Sequence, residues 1–175
     1  MRMREFLSKL IRGLPLHPSD SPTENSAAGC VIRRAIEADL PKVVALLRPF
    51  VELRKLLRRT RAETAALLVT GFVAEQEGEV IGFSSVEIYS KKLAEIQCLA
   101  VKEGYQGQGL GSHLVRHCIE LARERGVMEV MAISSSDRFL QNLGFDYSLP
   151  DQKRALFYQL RTREDLYRER EGTDE

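Results

Sequence analysis

Gln106-Gly107-Gln108-Gly109-Leu110-Gly111 sets three glycines at alternate positions just before an amphipathic run. Glycine lets a backbone approach a ligand with no Cβ in the way. A helix that starts there offers unpaired N–H groups and a partial positive charge. Together they suit an anion, and a pyrophosphate in particular. Two familiar phosphate loops are excluded: no Gly-Lys-Ser/Thr follows, and glycines at 107, 109 and 111 lack dinucleotide spacing. Glu95 lies on the predicted strand that leads into the loop, where a carboxylate could take a proton from a substrate. No metal is expected. His17, His113 and His117 do not combine with Cys30, Cys98 and Cys118 in any zinc-like spacing, and His113 and His117 read as two solvent-facing residues of one helix.

The elements that must position these residues follow from periodicity. Val31–Ile36 reads as a first strand. Asp39 and Pro41 mark a helix start, with Val43, Val44, Leu46 and Leu47 as its apolar face. After Pro49 a second helical stretch is expected through Leu53, Leu56 and Leu57, interrupted by Arg58-Arg59-Thr60-Arg61. Ala62–Val69 is a further short helix. Phe72–Glu75, Val80–Tyr89 and Leu93–Val101 are strands joined by short turns, so they should pair antiparallel. Gly109–Gly126 is the clearest helix. Val127–Ile133 is then a strand, Asp137–Leu143 a helix, and 145–160 a final hairpin region. The fold class is mixed α/β.

The 175 residues suit one domain, expected over 30–160. Residues 15–29 read as a linker, and 161–175 form a charged tail. Residues 1–14 carry Arg2, Arg4, Lys9 and Arg12 among Phe6, Leu7, Leu10, Ile11 and Leu14. That spacing predicts a short amphipathic helix. It could dock on a membrane surface or partner, on its own domain, or on a second copy, so a homodimer is among the expected assemblies. Net charge is +1, which argues against a nucleic-acid partner. No apolar run nears the ~20 residues of a membrane span. Three scattered cysteines fit a reduced, cytoplasmic protein better than a disulfide framework.

The glycine loop also carries a resemblance. Gln106-x-x-Gly109-x-Gly111 is similar to the Arg/Gln-x-x-Gly-x-Gly/Ala signature of the GCN-related N-acetyltransferases, the GNAT superfamily. Leu99-Ala100-Val101 before the loop, Val80-Ile81-Gly82 and Leu143-Gly144-Phe145 resemble that family's pattern in the same order. Within the superfamily the chain looks most like the acetyltransferase domain of N-acetylglutamate synthases, on Ala94-Glu95-Ile96-Gln97-Cys98-Leu99-Ala100-Val101 and on Leu56-Leu57-Arg58-Arg59-Thr60. It departs from the family at Leu140, where many members have the tyrosine that serves as general acid.

The resemblance implies a GNAT fold, a mostly antiparallel mixed sheet flanked by helices. It also implies acetyl-CoA as co-substrate and a small primary amine as acceptor, L-glutamate first. Glu95 is then the general base, acting directly or through a water. Ser134 is the candidate acid, with Ser135 and Ser136 as near in sequence and Tyr147 as a fallback. The backbone of Leu99, Ala100 and Val101 would pair with the pantetheine arm as an added strand. Gln106, Gly107, Gln108, Gly109, Leu110, Gly111 and Ser112 would hold the pyrophosphate, with Phe139 also at the cofactor. Arg59, Cys98, Lys153 and Arg154 would line the acceptor site, the cations suited to carboxylates. Two other readings remain open: transfer to a protein or another small-molecule amine, and a non-catalytic acyl-CoA-binding module.

Overall fold

The computed structural model describes residues 25–26 and 29–147. They form β1 (Asn25–Ser26), β2 (Cys30–Arg34), a 3-10 turn (Glu37–Asp39), α1 (Leu40–Glu52), α2 (Arg61–Leu68), β3 (Gly71–Gln76), β4 (Glu79–Ile88), β5 (Leu93–Val101), α3 (Leu110–Glu124), β6 (Glu129–Ala132) and α4 (Asp137–Gln141). The strands make one sheet in chain order, antiparallel from β1 to β5 and parallel between β5 and β6. This is the expected mixed, mostly antiparallel sheet. β1 lies inside the stretch read as linker and pairs with the start of β2. The N-terminal amphipathic helix, the final hairpin region beyond Tyr147 and the charged tail lie outside the described residues.

Local chemistry accounts for the boundaries. Glu77 and Gly78, at φ 51° and 80°, make the two-residue turn from β3 to β4, the geometry whose twist matches the flanking strands. Ahead of α1, the Asp39 carboxylate is buried. It accepts from the Ile36 N–H at 2.9 Å and from both terminal nitrogens of Arg33 at 2.7 and 2.9 Å. Arg33 in turn reaches Glu75 on β3. The Arg33 hydrogen bond holds the Asp39 carboxyl below the usual carboxylate range, against the opposing effect of burial.

Two expectations are corrected. Pro49 does not end α1 but sits within it, and no second helix runs through Leu53, Leu56 and Leu57. Proline removes the bond that its own N–H would make to Ala45. Both residues face solvent, so water can satisfy the Ala45 carbonyl. The helix stops at Arg54, which takes a left-handed φ of 55°. Arg54 N–H then bonds Val51 O at 2.9 Å and Lys55 N–H bonds Phe50 O at 2.8 Å. That pair is a Schellman cap, normally built on glycine.

The helices form two layers. Leu110, Leu114, Val115 and Cys118 of α3 pack with Ile32, Phe72, Ile81, Val86, Ala94 and Ile96 on one face of the sheet. Phe139, Leu143 and Phe145 join that layer. Leu40, Val43, Leu46 and Leu47 of α1 and Leu67 and Leu68 of α2 cover the other face, against Val73, Phe83, Cys98 and Ala100. A Cβ on Gly82 would come within 3.0 Å of Leu114 Cδ1 and 3.1 Å of Ala74 Cβ, so this glycine lets α3 close onto the sheet. Leu114 is fully buried, and cutting it to alanine should cost about 2–5 kcal/mol. His117 is half-buried, stacked on Phe72 with ring centroids 5.2 Å apart. The solvent-facing reading of that histidine is therefore corrected.

Candidate active site

β5 turns over once along its length. Phe83 pairs with Ala100 but Ser85 pairs with Gln97, so three steps on β5 oppose two on β4. The extra residue is accommodated at Cys98, whose φ is 54°, the signature of a bulge. Before it, Ala94 and Ile96 belong to the α3 layer, so the pleat sends Glu95 and Gln97 toward the α1–α2 side. After it, Cys98 and Ala100 face α1 and α2, while Leu99 and Val101 face α3. β6 pairs only with Leu93–Ile96. From Gln97 onward, β5 therefore has no β6 partner, and its backbone borders a gap in the sheet.

The glycine loop closes that gap at one end. Tyr105 N–H bonds Lys102 O at 3.1 Å, Gln106 Nε2 donates to Val101 O at 2.8 Å, and Gln108 Nε2 donates to Gly104 O at 3.0 Å. Gly109, at φ 84°, is the N-cap of α3. A Cβ at Gly107 or Gly109 would meet nothing within 4 Å, so the loop leaves open space above the first turn. The first helical backbone bond here runs from His113 N–H to Gly109 O at 3.1 Å, leaving the earlier amides facing that space as a helix start does. A Cβ on Gly111 would lie 3.6 Å from the Phe139 ring and 3.7 Å from Val101, which seats α4 against the loop. These residues fit a phosphate-bearing cofactor whose arm runs down the gap. One detail departs from expectation: the Gln106 side chain is turned back to hold Val101 rather than aimed outward.

On the α1–α2 side, Glu95 is 9% exposed. Its Oε2 accepts a short hydrogen bond from the Tyr89 hydroxyl. Gln97 Nε2 lies 3.5 Å from the same hydroxyl oxygen, and Gln97 Oε1 accepts from Arg59 Nη2 at 2.6 Å. Four side chains thus form one chain, Arg59–Gln97–Tyr89–Glu95. Burial and the Glu95 bond raise the Tyr89 pKa well above the usual phenol value. Arg59 and Cys98 line a cleft of about 600 Å³ whose apolar walls are Val44, Leu47 and Val51 of α1 together with Leu56. Arg48, Arg54 and Arg58 also border it, with Glu52 between them, giving a mainly cationic rim over an apolar floor. Burial raises the Cys98 thiol pKa, with Arg59 opposing, which keeps Cys98 a neutral wall residue.

The remaining candidates fall elsewhere. Ser134 is exposed beyond β6, and its Oγ accepts from the Ser136 N–H at 3.0 Å. Ser136 is the N-cap of α4 but makes no side-chain cap bond, so the serine run does not cap that helix through its hydroxyls. Tyr147 is exposed and donates to Asp137 Oδ2 at 2.6 Å. Leu140 is buried. Lys153 and Arg154 lie outside the described residues. Sequence reasoning missed Tyr89 and Gln97. Pleat parity with Glu95 was a usable signal for Gln97. Tyr89, across the β4–β5 turn, had none. Among the described residues no group of three or more His, Cys, Asp or Glu could hold a metal, and no helix is long and apolar enough to cross a membrane.

Comparison with known proteins adds to this geometry. Residues 38–145 match the model of the acetyltransferase (GNAT) family. An N-acetyltransferase of Chlorobaculum tepidum is 30% identical over 68% of this chain and 77% of its own length. The amino-acid acetyltransferase of Neisseria meningitidis is 30% identical over 69% of this chain but 28% of its own length. The N-acetylglutamate synthase of Neisseria gonorrhoeae, solved with coenzyme A and N-acetyl-glutamate, superposes with a TM-score of 0.65 at 29% identity. That match covers 82% of this chain and 33% of the synthase. The chain thus spans about a third or less of these two longer proteins.

Proposed function

The chain belongs to the acetyltransferase (GNAT) family, and on that footing we propose that it moves an acetyl group from acetyl-CoA to the α-amine of a small acidic amino acid, L-glutamate first. The observation that carries the reading is the approach of Arg59 to the strand of Glu95 on one face of the sheet. A cation that could anchor a carboxylate and a carboxylate that could receive an amine proton are joined there through Gln97 and Tyr89. The likeness to amino-acid acetyltransferases supports the same choice.

Acetyl-CoA brings the acetyl thioester. The amides of residues 108–111 hold its pyrophosphate at the start of α3, and the backbone of Leu99 and Val101, beyond the end of β6, takes the pantetheine arm as a strand would. Arg59 orients the acceptor by binding a carboxylate through its planar fork. An amine attacks only as the free base, and an α-amine, with pKa about 7.7–8.0, is mostly protonated at neutral pH. Glu95 accepts that proton, a role worth roughly 10²–10⁴ in rate. Ser134 donates a hydrogen bond to the departing sulfur.

The test is thiol release from acetyl-CoA with L-glutamate, L-lysine, spermidine and a peptide amine under identical conditions. Glutamate should be acetylated fastest. If any of the other three outruns it, the acidic acceptor is wrong and a broader amine acetyltransferase replaces it.

A further inference from the structure

We propose that the Tyr89 hydroxyl, rather than a water, carries the acceptor proton to Glu95, and that Gln97 holds the phenol in the orientation this needs. The inference rests on the reading of Glu95 as the base. Hydrogen-bond capacity alone fixes the direction of the chain. A guanidinium can only donate, so the Gln97 amide must turn its oxygen to Arg59, as it does at 2.6 Å. The amide nitrogen then faces the phenol oxygen at 3.5 Å and also can only donate. The phenol must therefore spend its own hydrogen on Glu95 Oε2. Accessibility points the same way. Glu95 is 9% exposed and Tyr89 45%, so an amine arriving from solvent meets the phenol before the carboxylate.

The step balances. The ammonium N–H bond breaks and leaves its electron pair on nitrogen, while the proton joins the Tyr89 oxygen. The Tyr89 O–H bond breaks in the same event, and that proton joins Glu95 Oε2. One proton passes from nitrogen to Glu95, and Tyr89 ends as it began. The charged groups around the phenol are Glu95, Glu87 and, through Gln97, Arg59. Burial, then the Glu95 bond and the Glu87 charge, keep the phenol protonated, so it cannot act as a base alone and must release a proton as it gains one.

The experiment compares Tyr89→Phe and Glu95→Gln with wild type in single-turnover acetyl transfer, using whichever of the four amines above reacts fastest. Rates are measured across H2O–D2O mixtures. Tyr89→Phe should slow transfer about 10- to 100-fold without changing acetyl-CoA affinity. The curved solvent-isotope dependence of wild type, two protons in flight, should become linear. Tyr89→Phe transfer within twofold of wild type, or slowed transfer that keeps the curvature, overturns the relay while leaving Glu95 as base if Glu95→Gln is slow. Full activity in Glu95→Gln overturns the base reading itself.

Discussion

Arg59 Nη2 donates to Gln97 Oε1 at 2.6 Å across 38 positions of sequence. That bond ties the loop after α1 to the strand that carries Glu95. It also presets the guanidinium for a ligand. A guanidinium carries five N–H donors, so an incoming carboxylate can bind those that Gln97 does not use and leave that bond in place.

Arg59→Ala should therefore raise the Michaelis constant for glutamate roughly ten- to a hundredfold, as expected for loss of a charge-assisted bond worth about 1.5–3 kcal/mol. Acetyl-CoA affinity should hardly change. Arg59→Lys should recover only part of the loss, because an ammonium lacks the planar fork. An unchanged glutamate constant in Arg59→Ala would remove Arg59 from the acceptor site.

Gly109→Asp should abolish coenzyme A binding in a calorimeter. The residue sits at φ 84° on the N-cap of α3, and a carboxylate there would stand where phosphate is expected. Gly109→Ala should weaken binding less. The space is open, so the cost is mainly the left-handed backbone, about 1–2 kcal/mol. Undiminished affinity in the aspartate variant would contradict the loop assignment.

Glu95→Gln should lower turnover at least tenfold while acetyl-CoA affinity holds, the pattern of a lost proton transfer rather than lost binding. Ser134→Ala should do less, since its hydroxyl is exposed and already engaged with the Ser136 amide. Steady-state kinetics on both variants across pH checks the order of the two effects.

Stability should fall in acid through Asp39. Its pKa in the folded protein is below the unfolded value, chiefly through the Arg33 hydrogen bond. The folded state therefore gains stability above the unfolded pKa of about 3.9, and loses it as pH falls through the lower folded value. Thermal melts should show wild type declining below about pH 4. Asp39→Asn should be less stable at neutral pH by about 1.5–3 kcal/mol and flatter through that window.

The glycine loop, the antiparallel run from β3 to β5, and the start of α1 at Asp39 and Pro41 were legible in the sequence because each depends on neighbours in the chain. Arg54 was not, since a helix cap built on a left-handed arginine carries none of the glycine signal that Gly126 gives. Pro49 misled for a similar reason: its effect depends on whether the Ala45 carbonyl can reach water, which only the fold decides. The loop and Glu95 were visible in the site. Tyr89 was not, because its bond to Glu95 depends on how side chains meet across the β4–β5 turn, and pleat parity marked Gln97 without giving its partner Arg59, from a loop 38 positions away.

The turnover of β5 at Cys98 makes this strand intolerant of an added residue in a way that its loops are not. Inserting one residue between Gln97 and Leu99 would preserve a continuous strand yet send Leu99 and Val101 to the opposite face. Val101 would then leave the space beside Gly111 and Phe139, unseating the glycine loop with no change to the loop itself. Insertions should thus be tolerated at the exposed Ser90–Lys92 turn and excluded from the strand's centre, where one added residue undoes both the cofactor's floor and the cleft's wall.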